Sequence, residues 1–315
     1  MKKEIRVFAP ATVANVACGF DILGFAIEQP GDEVFIRLTD TPGVNILKIT
    51  GDQGRLPLAA EKNTVSVSIL ALLKHLKSTQ GFEIELTKRM PLGSGLGSSA
   101  ASAVAGVFAA NLLLGNPLTK KELLPFATEG ERIACGSAHA DNAAPALLGG
   151  FVLIRSYQPL DVIQISTPDL FCTVLHPQIE IRTEDARKIL KKQILFKDAI
   201  TQWGNIAGLV AGLMKSDYDL IRRSLQDVII EPVRSILIPG FHEIKPAALE
   251  SGALGCSISG SGPSVFALSS TLEIASEAGT AMQAIMTNLK IASEIYISKI
   301  NPIGPRIVEN SNELL

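Results

Sequence analysis

Apolar positions alternate, or gather on β-branched residues, in four short runs of the first third: "IRVFA", "DEVFIRLTD", "VNILKIT" and "FEIELTK". Each run predicts a strand, because side chains of period two line one face of a pleated sheet. From Asn63 the period changes. Val65, Ile69, Leu72, Leu73 and Leu76 fall on one helical face, and Asn63 stands where an N-cap belongs. A second helix is expected from Ser98 or Ser99 to a glycine stop at Gly115. A third should run from Thr119, with Glu122 at capping-box spacing, to about Cys135. The small-residue stretch "GSAHADNAAPALLGG" reads as a loop and "FVLIRS" as a strand.

The pattern resumes after "YQPLD", which marks the expected boundary between domains at 1–157 and 158–315. Beyond it the runs "VIQIS", "FCTVLHP", "SVFALSS" and "EIYISKI" predict strands. Helical stripes are expected near 183–192, 197–214, 217–225, 241–251 and 272–289. A chain of 315 residues exceeds the size at which one core stops growing, which favours two domains. Both halves mix strands with helices.

Charge excludes one class of partner. With 29 basic and 31 acidic side chains the formal charge is −2, so no nucleic-acid polyanion is expected. Cys18, Cys135, Cys172 and Cys256 form no CxxC pair, a usage suited to reduced thiols in a cytoplasmic protein. The most apolar run, Ala100–Leu114, would span about 22 Å as a helix against a hydrocarbon core of about 30 Å. It reads as a buried helix, and no membrane partner is expected.

Candidate chemistry centres on "PLGSGLGSSAA", in which Gly93, Gly95 and Gly97 precede Ser98 and Ser99. Glycines admit backbone angles closed to other residues, and a helix that starts behind them offers unpaired N–H groups to an anion. A phosphorylated ligand follows. The spacing is neither GxxxxGK nor GxGxxG, so neither a P-loop nor a dinucleotide fingerprint fits. A tight turn before a closely packed helix is the bland alternative.

Three segments together resemble the GHMP kinases: "APATVANVACGFDILGFAI", "PLGSGLGSSAASAVAG" and "GALGCSISGSGPSVFAL". Within that superfamily the homoserine kinase branch is the nearest likeness. Its details are "PATxAN" followed by "GFDxLG", "HADN" at 139–142, "EDARKIL" at 184–190 and "EPVRSILIPGF" at 231–241. The chain departs from the branch's "SANLGPGFD" at Val13, Val16, Ala17 and Cys18. The resemblance implies a two-domain α+β GHMP kinase fold, with a ribosomal protein S5 domain 2-like N-terminal domain and a ferredoxin-like C-terminal domain. It also implies ATP as co-substrate, Mg2+, L-homoserine as acceptor in threonine biosynthesis, and a homodimer built through the C-terminal domain.

Site residues follow from the same resemblance. Asn15 and Asp21 would hold the substrate's amino end, Arg187 and Arg234 its carboxylate, and His139 would be a hydrogen-bonding neighbour. Pro91, Leu92, Gly93, Ser94, Gly95, Leu96, Gly97, Ser98 and Ser99 would form the ATP loop, with Asn63 near the adenine. Ser99 and Glu131 would hold the metal, Glu129 being the competing glutamate. Asp141 stands where mevalonate and galactose kinases carry a base, with Asn142 beside the reacting hydroxyl. The homoserine branch is thought to manage without a strong base, the γ-phosphate or solvent taking the proton. Lys88 is either a phosphate neutraliser or a solvated strand end. Gly260, Ser261, Gly262 and Pro263 would support the loop. A mevalonate-type kinase and a catalytically silent nucleotide-binding homologue are the alternatives.

Overall fold

The computed structural model describes residues 3–135 and 140–308. The first half runs β1 (Glu4–Ala14), β2 (Leu23–Thr39), β3 (Gly43–Thr50), α1 (Thr64–Leu76), β4 (Gly81–Thr87), α2 (Ser98–Leu113), α3 (Lys120–Cys135), α4 (Ala140–Leu148), β5 (Phe151–Tyr157) and β6 (Leu160–Ile165). There follow β7 (Phe171–Pro177), α5 (Thr183–Lys188), α6 (Phe196–Lys215), α7 (Tyr218–Ser224), α8 (Glu231–Arg234) and α9 (Phe241–Glu250). Strands β8 (Gly255–Ile258) and β9 (Val265–Ser269), helix α10 (Leu272–Asn288), and strands β10 (Ser293–Lys299) and β11 (Arg306–Ile307) complete the order.

A seven-stranded sheet carries the order β11-β1-β2-β4-β3, with β5 beside β2 and β6 beyond it. Strand β2 serves two neighbours. Its residues 33–39 pair with β4 and its residues 23–25 with β5, and the β1–β2 register shifts between Pro10 and Thr12, where the ladder bends. The parallel pair β3–β4 is joined through α1, as a crossover requires. Helix α2 lies centrally, with Ala100, Ala101, Ala103, Val104 and Ala105 all buried, and an apolar surface on every side suits a helix enclosed by others. A Cβ added at Gly106 would come within 2.6 Å of the Val65 side chain. This contact sets how closely α1 and α2 approach.

The second sheet is antiparallel, ordered β10-β7-β9-β8, and α9 and α10 pack on it. Both its faces are covered. Along β9, Phe266 and Leu268 join the main core while Val265 and Ala267 join a second cluster with Ile244, Met282 and Met286. Two covered faces explain why "FCTVLHP" and "SVFALSS" read as continuous apolar runs.

The structure departs from the sequence expectation in three places. Residues 140–148, expected as loop, form α4, because alanine is the best helix former and Asp141 occupies the favourable first turn. The break expected at residue 157 falls inside the β5–β6 hairpin, where Tyr157 pairs with Leu160, and β11 returns to pair with β1. Strand β8 and the four-residue α8 carry too little periodicity to be read in advance.

Candidate active site

The chain leaves β1 through a tight loop in which Asn15, Val16, Ala17 and Asp21 have φ of 72°, 43°, 56° and 61°. Left-handed angles are costly for a β-branched residue such as Val16, and its full burial in the main core holds it there. Hydrogen bonds lock the loop from both sides. The Asp21 N–H donates to Asn15 Oδ1 (3.0 Å), and the Tyr157 hydroxyl donates to the Asp21 carbonyl (2.7 Å). Asn15 Nδ2 donates to the Gly260 carbonyl (2.6 Å), and the Gly260 N–H donates to the Ala14 carbonyl (3.2 Å). The first and third sequence motifs are thereby stitched together.

Two arginines meet over one aromatic ring. Arg187 and Arg234 lie 5.5 and 4.9 Å from the Phe20 centroid, within cation–π range. Arg187 Nη2 bonds Asp21 Oδ1 at 2.6 Å. Arg234 is buried, and among the described residues its hydrogen bonds go to the Ala186 and Gly260 carbonyls (both 3.1 Å) rather than to a carboxylate. Burial, followed by the like charge of Arg187, pushes the Arg234 pKa down to about 10. A buried guanidinium beside a second, partly exposed one favours a planar anion.

Gly93, Gly95 and Gly97 all adopt left-handed angles, with φ of 69°, 78° and 66°. A Cβ at Gly95 would stand 2.4 Å from the Ser259 carbonyl, and one at Gly97 2.1 Å from Thr12 Oγ1. Both positions therefore require glycine. Ser259 Oγ donates to the Gly95 carbonyl (2.7 Å) and the Ser264 N–H to the Ser94 carbonyl (3.3 Å). The third motif thus grips the loop's carbonyls. Helix α2 begins directly after Gly97 with no side-chain cap, so its first N–H groups and the positive end of its dipole stay available to an anion.

Behind this terminus lies a buried polar cluster that the sequence did not announce. Lys88 Nζ pairs with Asp32 and donates to the Ser98 carbonyl (2.8 Å) and Ser102 Oγ (2.7 Å). Asp32 also accepts from the Arg89 and Met90 N–H groups (2.9 and 3.2 Å) and from Ser98 Oγ (2.9 Å). Lys88 is buried, which corrects its reading as a solvated strand end. Asp32 sits in an ordinary alternating strand, so no local signal marked it.

The glutamates separate cleanly. Glu129 is on the outer side of α3, bonded to Arg132 at 3.0 and 2.5 Å. Glu131 is buried, accepts from Ser99 Oγ at 3.1 Å, and its Oε1 has no hydrogen-bond partner among the described residues. Burial raises its pKa to about 7. Asp141 is likewise buried, and its Oδ1 has no hydrogen-bond partner among the described residues. Its pKa is pushed up to about 7 by burial and then by the charge of Asp21. Asn142 Oδ1 accepts from Thr12 Oγ1 at 2.7 Å.

Nearly all of these side chains line one cavity of about 420 Å³, within the range of small-ligand sites. Asn15, Asp21, Arg187, Arg234, Asp141 and Asn142 share it with Asn63, Ser94, Ser98, Ser99, Glu131 and the glycines. Asn63 caps α1 through the Val65 N–H (3.3 Å) and donates to the Pro57 carbonyl (2.9 Å). Leu96 is wholly buried in the core, and Pro91 lines an adjoining groove behind the loop. His139 lies outside the described residues. Phe20, Thr12, Ser259 and Ser264 contact residues that line the cavity, and sequence reasoning missed them because those partners lie more than a hundred residues away.

An uncapped helix terminus, two arginines and two raised carboxyl groups around one cavity suit an ATP-dependent kinase of small molecules. Comparison with known proteins carries this to a family. Residues 63–150 match the model of the GHMP kinases N terminal domain and residues 209–288 that of the GHMP kinases C terminal. The chain belongs to the GHMP kinases. It is 54% identical to a homoserine kinase of Chlorobium phaeobacteroides, over 97% of this chain and all of that one. It superposes on the crystal structure of homoserine kinase from Cytophaga hutchinsonii with a TM-score of 0.96 and 62% identity, covering 98% of each chain. A mevalonate kinase of L. major, 17% identical at a TM-score of 0.71 over 96% of this chain and 98% of that one, shares the fold. No helix among the described residues is long and apolar enough to cross a membrane.

Proposed function

We propose that this chain transfers the γ-phosphoryl group of ATP to the side-chain hydroxyl of L-homoserine, forming O-phospho-L-homoserine for threonine biosynthesis in the cytoplasm. The observation that carries this reading is the charge set at one end of the cavity. Arg187 and Arg234, stacked on Phe20, suit a carboxylate, while Asp21 and Asn15 offer acceptors for an ammonium group. A zwitterion clasped at both charges leaves its hydroxyl directed along the cavity toward Asp141 and Asn142. The relatives named as homoserine kinases support the same substrate.

At the other end, the N–H groups of residues 93–99 receive the phosphates, and Leu56, Pro57 and Asn63 line the space for the adenine. Phosphoryl transfer asks the protein chiefly to align the acceptor with the γ-phosphate and to neutralise charge. The homoserine oxygen forms its bond to the γ-phosphorus as the bond to the bridging β–γ oxygen breaks, and ADP leaves. Asp141, poised near neutrality, accepts the hydroxyl proton.

Glu131 and Ser99 would hold Mg2+. The unpartnered buried Glu131 Oε1 fits that role, since an oxygen lacking a hydrogen bond in the interior is costly unless a cation meets it. Among the described residues no three His, Cys, Asp or Glu side chains converge as a metal cage, in keeping with an ion that takes its remaining ligands from phosphate and water. Bound there, Mg2+ supplies charge neutralisation on the phosphates.

An ADP-release assay tests the reading with homoserine, mevalonate and a panel of amino-acid and polyol alcohols, each with and without Mg2+. Turnover is expected with homoserine and Mg2+. Equal or faster turnover of mevalonate, or release of ADP indifferent to any acceptor, would refute it.

A further inference from the structure

The charged groups at the arginine end of the cavity stand on separate segments, and one buried amide joins them. Asn15 and Asp21 belong to the loop after β1, whereas Arg234 ends α8. Between the two lies Gln202, on the buried side of α6 with Ala199, Leu209 and Leu213. A polar residue in an apolar stripe has to find its partners within the protein. Gln202 does so through every polar atom. Its Nε2 donates to the Cys18 carbonyl and to Asp227 Oδ1 (both 3.0 Å), and its Oε1 accepts from the Val228 N–H (3.1 Å). Donating twice while accepting is an amide's capacity, which neither a carboxylate nor an apolar side chain of the same length supplies.

Asp227 passes the restraint on. Besides Gln202, its carboxylate accepts from the Ile229, Ile230 and Glu231 N–H groups (2.8, 2.9 and 2.9 Å) and so fixes the turn that opens α8. The Ile230 carbonyl in turn receives the Arg234 N–H (3.0 Å), and Arg234 Nε reaches the Ala186 carbonyl beside Arg187. On the other side, Cys18 lies between Asn15 and Asp21 in the chain, and its thiol donates to the Ser224 carbonyl at the end of α7 (3.4 Å). Helix α7 comes this close because α6 carries Gly208, where an added Cβ would stand 2.4 Å from Ser224 Oγ. Cys18, Gln202, Ser224 and Asp227 are all buried, and hydrogen bonds in a low local dielectric are stronger than those in water.

We infer, on the strength of the proposed homoserine reading, that Gln202 is a positioning residue: it fixes the separation between the ammonium and carboxylate grips and so selects a substrate that carries both charges. Neither Gln202 nor Asp227 is among the described residues that line the cavity, so both act through the segments they hold. A zwitterion gains from both grips only when their spacing matches its own, and a spacing set in advance spares the cost of ordering them on binding. A ligand with a single charge needs one grip and is indifferent to that spacing.

Steady-state kinetics of the full chain with ATP and Mg2+ test this, with Gln202→Met as the variant, since methionine keeps the length of the side chain and loses its hydrogen bonds. Homoserine is compared with γ-hydroxybutyrate, which lacks the amino group, and n-propanolamine, which lacks the carboxylate. Both analogues are read as inhibitors of O-phospho-L-homoserine formation. The variant is expected to raise the homoserine KM about tenfold, the worth of one buried hydrogen bond, while the KM for ATP and both inhibition constants keep their parent values. Asp227→Asn replaces an acceptor of the α8 turn by a donor and reaches the same joint from its other side, so it is expected to give the same selective loss even if Gln202→Met does not fold. An unchanged homoserine KM in either folded variant, or a loss shared equally by ATP and both analogues, overturns the assignment. A parent that phosphorylates no homoserine refutes the substrate reading, and the role of Gln202 with it.

Discussion

Asp141 shows how one side chain links stability to turnover. Its carboxyl is raised to about 7 in the folded protein, whereas an unfolded aspartate titrates near 4. Between about pH 4 and 7 the folded state therefore binds more protons than the unfolded one, and this group's contribution to stability falls as pH rises through that window. Asp141→Asn removes the penalty. The variant is expected to melt a few degrees higher than the parent at pH 8 by calorimetry, while kcat falls roughly 10²- to 10³-fold. In the parent, kcat should climb with pH toward a plateau above 7, and in the variant that dependence should vanish. Near-normal turnover of folded Asp141→Asn would remove it from the base role and leave the proton to the phosphate. The resemblance of "HADN" to the homoserine branch singled out Asp141; its raised pKa was not legible, since burial and the approach of Asp21 are products of folding.

At the scale of elements, the loop between β4 and α2 works because the second sheet's turn clamps it. Ser259 and Ser264 bind the Gly95 and Ser94 carbonyls. In a trans peptide the N–H points opposite to the carbonyl, so these bonds also fix the direction of the following N–H groups. Gly97→Ala, which would drive a Cβ into Thr12 and Asn142, is expected to weaken binding of a non-hydrolysable ATP analogue more than tenfold by titration calorimetry. Gly54→Ala is the control. Its φ is also positive, at 72°, but a Cβ there meets nothing within 4 Å, so only backbone strain of about 1 kcal/mol is expected. Equal losses in both variants would show that conformation, not contact, makes Gly97 necessary. The glycine spacing was visible in the sequence, whereas the clamp joins residues more than 150 positions apart.

On the scale of the whole molecule, the cavity belongs to both halves of the chain. Asn15, Asp141 and the glycine loop come from the first, and Arg187, Arg234 and Gly260 from the second. A ligand held by both halves stabilises the folded state by roughly 2.7 kcal/mol at a hundred times its Kd. Thermal melts with an ATP analogue and homoserine together should therefore shift one cooperative transition upward. Two separating transitions, with only the first half protected, would contradict a shared site.

Local pattern alone determined most of the strands and helices and where the glycine loop meets α2, while the resemblance to the GHMP kinases singled out the motifs. Pattern could do so because period, capping and turn geometry act over a few residues. Folding decided the rest: that 140–148 is a helix, that Glu131 faces the cleft while Glu129 faces solvent, and that Lys88 is spent on Asp32. Tertiary contact also set Phe20 beneath two arginines and left Phe196, Trp203 and Met214 of α6 exposed. Burial and long-range approach are properties of the packed chain, and no window of neighbouring residues contains them.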